Sequence, residues 1–376
     1  MKRRHYFELC VLWELQGALR AGDVWLEGSR RYADPETYLI PRERWPGLRA
    51  EVCREVQAPE DGTDRLCERE KELSGLLDRV EGLLAKGGDV RIDGDDLVVS
   101  PLEAGQTLES TAELERLIDE RLPYVELSEL LIEVDGWTRF SDDFEHAGGT
   151  EPRSRELWGH LYAAILAQAC NLGLTRMARI SDLTYQKLAW CTHWYVRDET
   201  LKAATTRLVN FQYHQPLSQF WGGGTLSSSD GQRFPVSGKV RMATALPRYF
   251  GYGKGVTFYT WTADQFSQYG TKVIPATVRD ATYVFDEILD NETELPLLEH
   301  TTDTAGYTEI VFALFDLLGL QFSPRIRDLG DQRLFRVDRQ KRHHHLGPLL
   351  KGRVNRDRIL RRRDDLLRVA RLLKLG

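Results

Sequence analysis

The sequence predicts a mixed α+β protein in which a helical N-terminal region leads into an α/β core and then into a basic helical tail. Three observations support this order. Residues 111–220 carry helical patterns almost throughout, residues 221–330 alternate β-prone runs with helical runs, and the remaining residues are rich in arginine and leucine. The pattern of predicted secondary structure and composition therefore changes near residue 220 and again near residue 330.

The first 110 residues are predicted to form a mixed region of helix and hairpin. Leucines at helical spacing run from Asp64 to Lys86 and stop at two glycines, which is a helix-ending signal. Two β-prone runs then flank Asp93 and Gly94, a pattern typical of a β-hairpin. Amphipathic helices follow up to residue 220. We expect four segments: 1–110, 111–220, 221–330 and 331–376.

Composition restricts the class of protein. The 376 residues suffice to bury a core without a disulfide or metal staple. No apolar run approaches the length of a membrane span, and the basic start "MKRRHYFELC" lacks the apolar core of a secretory signal. The five cysteines include no Cys-x-x-Cys pair and are typical of reduced thiols. We expect a cytoplasmic protein with no membrane partner.

Charge is distributed unevenly along the chain. The tail from Arg325 to Gly376 has 17 Lys and Arg against 6 Asp, a net charge of +11, so the rest of the chain carries −17 within a total of −6. Such asymmetry indicates a segment that binds a polyanion such as DNA. A solvated helix face remains the alternative interpretation of the same charges.

The α/β core has a recognisable order of elements. The runs "TLSSSDGQRFPV", "KVRMATAL" and "GVTFYTWTA" predict three sequential antiparallel strands. A helical run "ATVRDATYVFDEILD", a strand, a helix ending at Gly319 and a last strand "LQFSPRIRD" follow. The order β-β-β-α-β-α-β is that of a ribonuclease-H-like fold, in which metal-binding carboxylates lie on the first strand and near the end of the fourth. Asp230 and Asp303 occupy those two places.

Two aspartates so placed are suited to phosphodiester chemistry. Two divalent cations about 4 Å apart activate the attacking oxygen and stabilise the leaving oxygen. Mg²⁺ prefers hard oxygen ligands and keeps several waters, so a few carboxylates hold it without His or Cys. The alternative for Asp230 is a plain turn, because Asp-Gly is itself a turn signal. Spacing alone leaves both interpretations open.

A series of sequence blocks covers nearly the whole chain in order. They include "ACNLGLTRMA", "FWGGGTLSSSDGQRF", "YFGYGKGVTFYT", "TKVIPATVRDATYVFD", "HTTDTAGYTE" and "FALFDLLGLQFSPRIRDL". In these blocks the sequence resembles the Tn3 family of replicative transposases, and the resemblance settles more than the spacing does.

The resemblance implies a function. Members of this family use an Asp-Asp-Glu metal triad on a ribonuclease-H-like core, bind terminal inverted repeats, nick the transposon 3′ ends and join them to target DNA. By motif match, Asp230 corresponds to the first acid and Asp303 to the second. The resemblance further implies Mg²⁺, with Mn²⁺ as a substitute, double-stranded DNA as partner, self-association of transposase subunits, and a bacterial, nucleoid-associated location in the cytoplasm.

The third acid of the family, a Glu, has no counterpart by motif in this sequence. Glu309 is the last glutamate, only six residues after Asp303, where an acid normally complements the helix dipole. Asp364 and Asp365 lie in "RRRDDLLR", where pairing with arginine is the expected role. We therefore expect the isolated chain to be an inactive, truncated transposase. The alternative is a non-catalytic DNA-binding remnant that interferes with an intact transposase.

Several basic residues are candidates for contact with DNA. Arg279 and Asp280 are interpreted either as a surface ion pair or as an arginine beside the metal site that contacts a phosphate. His343 to His345 are consecutive, so they are expected to form part of a basic loop rather than a metal site. The candidate DNA-binding residues are Arg233, Lys254, Lys272, Arg279, Arg325 and Arg327.

Overall fold

The computed structural model describes residues 4–29, 32–94, 96–100, 105, 108–149, 156–238, 240–327, 332, 334–337 and 341–375. The chain divides into two compact units. The first unit contains residues 1–100, 307–322 and 326–376, and the second contains residues 101–306 and 323–325. Both helices and strands are present, so the predicted mixed α+β class is confirmed. Among the described residues, no helix is both long and apolar enough to cross a membrane.

The first unit is mostly helical. Its elements are α1 (Arg4–Ala21), α2 (Trp45–Glu55), α3 (Gly62–Lys86), β1 (Val90–Asp93), β2 (Asp96–Val99), α12 (Glu309–Leu317), β8 (Gln321–Phe322), β9 (Leu334–Arg336), β10 (Leu350–Arg353) and α13 (Arg356–Leu375). The predicted long helix and the hairpin after it are both present, and β1 pairs with β2 antiparallel. Leu77 and Leu84 of α3 form an apolar cluster with Leu346, Leu349 and Leu350.

The basic tail is partly buried. Arg368 of α13 is 1 % exposed, and its guanidinium donates to the backbone oxygen of Ile40 at 2.8 Å and to Glu36 at 2.7 Å. Arg363 donates to the backbone oxygens of Pro59 and Glu60. A buried arginine needs such acceptors because its charge cannot be left without partners. These side chains therefore dock α13 against the N-terminal segment.

Other tail residues remain at the surface. Arg358, Arg361 and Arg362 on α13 are exposed. Asp365 pairs with Arg362 at 3.2 Å, as expected for residues three apart on a helix, while Asp364 pairs with Arg49 at 3.1 Å. The tail thus combines internal arginines, which hold the fold, with exposed arginines on the same helix.

The second unit combines helices with a sheet. The helices are α4 (Glu109–Asp119), α5 (Leu127–Thr138), α6 (Leu157–Ala169), α7 (Leu174–Ile180), α8 (Tyr185–Tyr195), α9 (Asp198–Tyr213), α10 (Pro247–Phe250) and α11 (Asp286–Leu289). The strands are β3 (Leu226–Val236), β4 (Thr244–Ala245), β5 (Lys254–Ala263), β6 (Gln268–Pro275) and β7 (Glu299–Thr302). Phe140, Leu161, Cys191 and Tyr195 belong to the apolar core of the helical region.

The sheet of the second unit is centred on β3. One edge of β3 pairs antiparallel with β5, which in turn pairs with β4 and β6. The other edge of β3 pairs parallel with β7. This arrangement places β3 between a long antiparallel neighbour and a short parallel one.

The predicted order of the core elements is wrong in three places. The run "KVRMATAL" contributes only the two residues of β4, and the third long antiparallel strand is instead β6. The predicted helix "ATVRDATYVFDEILD" is a turn with a 3-10 segment at Asp280–Thr282 and the single helical turn α11. The last predicted strand is reduced to β8. β6 lacks a clear period of two because its pairing with β5 shifts register between Trp261 and Thr262.

Candidate metal centre on the central strands

Asp230 lies inside a strand. It belongs to β3 and is paired across the sheet with Thr260 of β5, in a register that continues without interruption from Ser227 to Val236. A residue in the middle of such a ladder does not form a turn. The interpretation of Asp230 as an Asp-Gly turn residue is therefore wrong.

The register of β3 and β7 relates the two aspartates. Ser229 of β3 is paired with Thr302 of β7, and Asp230 and Asp303 are the residues that follow each of them. Ser229 and Thr302 are buried, whereas both aspartates are exposed. Successive side chains of a strand point to opposite faces, so Asp230 projects from the face opposite Ser229. Asp303 follows the last residue of β7, and it is exposed where the preceding Thr302 is buried.

Each aspartate is fixed by short backbone contacts. One carboxylate oxygen of Asp230 accepts the N–H of Gly231 at 2.7 Å. One oxygen of Asp303 accepts the N–H of Ala305 at 2.9 Å and of Gly306 at 3.3 Å, so the chain turns immediately after β7. The second oxygen of each carboxylate makes no hydrogen bond to a described residue. Both side chains are thus oriented and still have a ligand atom available.

A chain of buried polar groups lies behind the strands that carry the aspartates. His300 of β7 is 1 % exposed, and its Nδ1 and Nε2 lie 2.7 Å and 2.8 Å from the hydroxyls of Ser227 and Ser229 on β3. The Ser229 hydroxyl is also 2.7 Å from the phenol of Tyr259 on β5. Three adjacent strands are therefore tied together directly beneath the site.

Burial controls the protonation of this polar chain. Desolvation lowers the pKa of His300 to about 3, so the ring is neutral and one nitrogen donates while the other accepts. Burial also raises the pKa of Tyr259, and the negative charges of Asp280, Asp303 and Asp230 raise it further. The chain is thus uncharged, although it lies within the electrostatic field of the aspartates.

Asp280 is a third carboxylate whose electrostatic field overlaps that of the two aspartates, but it approaches β3 on the face opposite Asp230. It is 4 % exposed, so the interpretation of Arg279 and Asp280 as a surface ion pair is wrong for Asp280. A Cβ at Gly231 would lie 3.1 Å from its carboxylate and 2.9 Å from Thr257. Burial raises the pKa of Asp280 and the charge of Arg233 opposes that rise. The Gly after Asp230 was the available sequence signal, since a glycine in a strand indicates close approach of another group.

The candidate DNA-binding residues do not form one surface. Thr257 and Tyr259 of β5 are buried on one face of the sheet, and Lys254 is an odd number of residues away from both. Lys254 therefore lies on the other face, which is the face of Asp230. Arg233 and Lys272 are paired with Thr257 and Tyr259 and so lie on the opposite face.

Arg233 and Lys272 also have partners within the protein. The Arg233 guanidinium is 4.5 Å from the ring centre of Tyr249, and Lys272 pairs with Asp286.

Arg279 and Arg325 contact the backbone on either side of Asp303. Arg279 donates from Nε to the backbone oxygen of Ala305 at 3.2 Å, in the turn that begins at Asp303. The backbone N–H of Arg325 donates to Thr302 at 2.7 Å, and its side chain is exposed. Arg327 is exposed and belongs to the first unit. Arg279 and Arg325 are therefore the candidates that flank the turn after β7.

The donor set suits a hard divalent cation. The available ligands are carboxylate oxygens, and Mg²⁺ or Mn²⁺ binds such oxygens while retaining water in the remaining positions. Within the described part of the chain, no group of three or more His, Cys, Asp and Glu side chains is arranged to hold a metal ion. The geometry thus offers two carboxylates on neighbouring strands.

Comparison with known proteins identifies the class. The family described as the Tn3 transposase DDE domain matches residues 129–376, a range that includes most of α5, all later helices, the sheet and both aspartates. This part of the chain is therefore a DDE transposase domain.

Full-length relatives specify the family. The chain is 40 % identical over 378 aligned residues to the transposase for transposon Tn501 of Pseudomonas aeruginosa, covering 99 % of this chain and 38 % of that protein. It is 37 % identical over 380 residues to the transposase for transposon gamma-delta of Escherichia coli K12, covering 100 % of this chain and 38 % of that protein. The chain belongs to the Tn3 transposase family, and it spans about two fifths of the length of these relatives.

A solved structure gives a much weaker likeness. The crystal structure of the Mos1 strand transfer complex is matched over 70 % of this chain and 88 % of that chain, at 12 % identity and with a TM-score of 0.20. A likeness of this size carries no argument about the fold.

The buried neutral state of His300 predicts a dependence of stability on pH. Its pKa in the folded chain is below the value near 6.5 of the unfolded chain, so below that pH only the unfolded state binds the proton. Stability should therefore fall as the pH is lowered, with His300 contributing up to about 1.4 kcal/mol per pH unit. Urea denaturation between pH 7 and pH 4.5 measures the effect.

His300→Gln, which cannot bind that proton, should show a shallower loss of stability over the same range. The exposed His193→Gln is the matched control and should keep the slope of the unmodified chain. Equal slopes for His300→Gln and the unmodified chain would contradict the assignment.

Proposed function

We propose that this chain belongs to the catalytic region of a Tn3-type transposase, an enzyme that nicks the 3′ ends of a transposon and joins them to target DNA, and that it supplies two of the three acids of that region. The observation that carries the proposal is the placement of Asp230 and Asp303 after paired residues of β3 and β7, within a region that matches the DDE domain of this family. The names of the relatives, which are transposases for particular transposons, support the same activity.

Asp230 and Asp303 would hold the divalent metal in this proposal. A bound Mg²⁺ or Mn²⁺ supplies activation of the attacking oxygen and stabilisation of the leaving oxygen. The contribution of the chain is to fix the two carboxylates, since β3 fixes one and the turn after β7 fixes the other. Two exposed carboxylates near each other repel, and a cation between them relieves that repulsion.

The fold of the core and the partners follow from the same proposal. We assign the sheet to a ribonuclease-H-like arrangement, which is supported by three antiparallel strands, β3, β5 and β6, followed by β7 parallel to β3. Double-stranded DNA at the inverted repeats and at the target is the substrate, and transposase subunits associate with one another. A bacterial, nucleoid-associated location in the cytoplasm completes the assignment.

DNA contacts in the tail are expected from its exposed arginines. Arg363 and Arg368 are buried and use their guanidinium groups on protein acceptors. Arg358, Arg361 and Arg362 are exposed, so their charges are accessible to phosphates. Phosphate contacts of this kind release counterions and make affinity depend on salt without reading sequence.

Metal binding is tested directly with Mn²⁺, which electron paramagnetic resonance detects. Asp230→Asn and Asp303→Asn should each weaken binding of Mn²⁺ by about tenfold or more, because each removes a charged ligand. Asp182→Asn removes an exposed aspartate of the same unit and should leave the affinity unchanged. Unchanged affinity in both site variants would remove the metal assignment.

The 376-residue polypeptide is predicted to bind DNA without nicking it. The resemblance to the family implies three acids, and this polypeptide supplies two of them by motif, so the clamp on the attacking and leaving oxygens is incomplete. A supercoiled plasmid carrying an inverted repeat is incubated with Mg²⁺ or Mn²⁺, and the nicked form should not exceed the background of Asp230→Ala. Metal-dependent nicking that is absent from Asp230→Ala would reveal a further ligand and favour a complete enzyme.

The exposed arginines of α13 are predicted to set the salt dependence of DNA binding. Replacing Arg358, Arg361 and Arg362 together by Gln should weaken duplex binding and lower the slope of log affinity against log salt by as much as about 2.7. Fluorescence anisotropy over a salt series measures both quantities.

The matched control removes the same charge from another exposed part of the first unit, by replacing Arg79, Lys86 and Arg91 with Gln. It should retain most of the slope. An equal loss in both triple variants would show that net charge, rather than α13, governs binding.

A further inference from the structure

The first unit contains a cavity of about 580 Å³ between α3, β9, β10 and the start of α13. Pockets that bind small molecules have volumes of this order. Leu77, Val337 and Leu350 provide apolar lining, and Cys67 and Ser74 line the helix side. The cavity lies outside the unit that contains Asp230 and Asp303.

Positive charge is concentrated around this cavity. Glu70 is the single carboxylate of the described lining, and it faces five cationic side chains. These are Lys71, Arg336, Lys341, Arg353 and Arg356, with His343 beside them. All of these cations except Lys71 belong to the tail, which carries a net charge of +11.

Two of the five cations are neutralised within the protein. Arg356 pairs with Glu70 at 3.0 Å, and Lys341 donates to Ser74 at 2.9 Å and pairs with Asp78. These contacts fix the two side chains at the wall of the cavity. They account for the local carboxylates and leave none for the remaining cations.

The other three cations have no such partner. Lys71, Arg336 and Arg353 make no side-chain hydrogen bond or ion pair with a described residue, and the Nε of Arg336 is also shielded from solvent. A shielded guanidinium donor without an acceptor costs free energy, and three like charges around one cavity repel. An anion with several acceptor oxygens would satisfy both requirements, and arginine binds phosphate through paired N–H donors.

We propose that this cavity binds the phosphate group of a nucleotide, either a free mononucleotide or one unit of a DNA strand. The cationic wall contacts the phosphate, and the apolar lining contacts the sugar and base, which explains a volume well above that of a phosphate ion. The site goes beyond the proposed function because it does not involve the aspartates or their metal.

The test uses the full 376-residue chain. Calorimetry measures binding of dAMP and of inorganic phosphate, and fluorescence anisotropy measures binding of a labelled single-stranded oligonucleotide. Arg336→Gln and Arg353→Gln should each weaken binding by about tenfold or more. Arg79→Gln, an exposed arginine of α3 outside the cavity lining, is the matched control and should leave binding unchanged.

The ligands distinguish the two sources of phosphate. Loss of dAMP binding in the cavity variants indicates a free mononucleotide, and loss confined to the oligonucleotide indicates a DNA strand. Binding of all three ligands that is equal in the cavity variants and in Arg79→Gln would overturn the proposal. Arg353 is exposed, so its replacement tests the site even where Arg336→Gln lowers the melting temperature. Mn²⁺ binding by the aspartates is a separate measurement that fails or succeeds independently.

Discussion

His300 contacts two serines of the neighbouring strand, and the geometry of the candidate metal centre depends on this connection. Parallel β3 and β7 share only four paired positions, from Leu226 with Glu299 to Ser229 with Thr302. A shift of this short ladder by one residue would move every side chain to the other face. The ring of His300, held at 2.7 Å and 2.8 Å from Ser227 and Ser229, opposes such a shift.

The same connection explains why polar residues occupy the interior of this sheet. Ser227, Ser229 and His300 are each at most 4 % exposed, and the phenol of Tyr259 completes the chain. Buried polar groups are tolerated when every member has a partner, and they then favour one arrangement of the strands over others. The hydrogen bonds of the polar chain form in only one register of β3 and β7. Apolar side chains of similar size would not distinguish that register from others.

The site residues were assigned by motif, whereas the elements around them were predicted from local pattern, and the metal-binding role of Asp230 and Asp303 stays a prediction. Asp230 and Asp303 were assigned by motif, and the structure places them after paired residues of adjacent strands. β6 was missed because a bulge beside Trp261 interrupts its alternation. Asp280 was misinterpreted because Val284 and Ile288 follow it at helical spacing although the chain there forms only short turns. Such burial arises from contacts between distant segments, which local pattern does not report.

The charges of the tail also show that sequence pattern does not report burial, and the reason is physical. Counting charges predicted a polyanion-binding segment, but the count does not separate a guanidinium that docks a helix from one that is exposed. Arg368 and Arg363 have exchanged water for backbone oxygens of the N-terminal segment and are no longer accessible. Other cations of the tail lie on the exposed face of α13 and in the lining of the cavity beside α3. An exposed face suits the repeating phosphates of a duplex, whereas a cavity with apolar lining suits a single nucleotide, and we therefore propose a different mode of recognition for each.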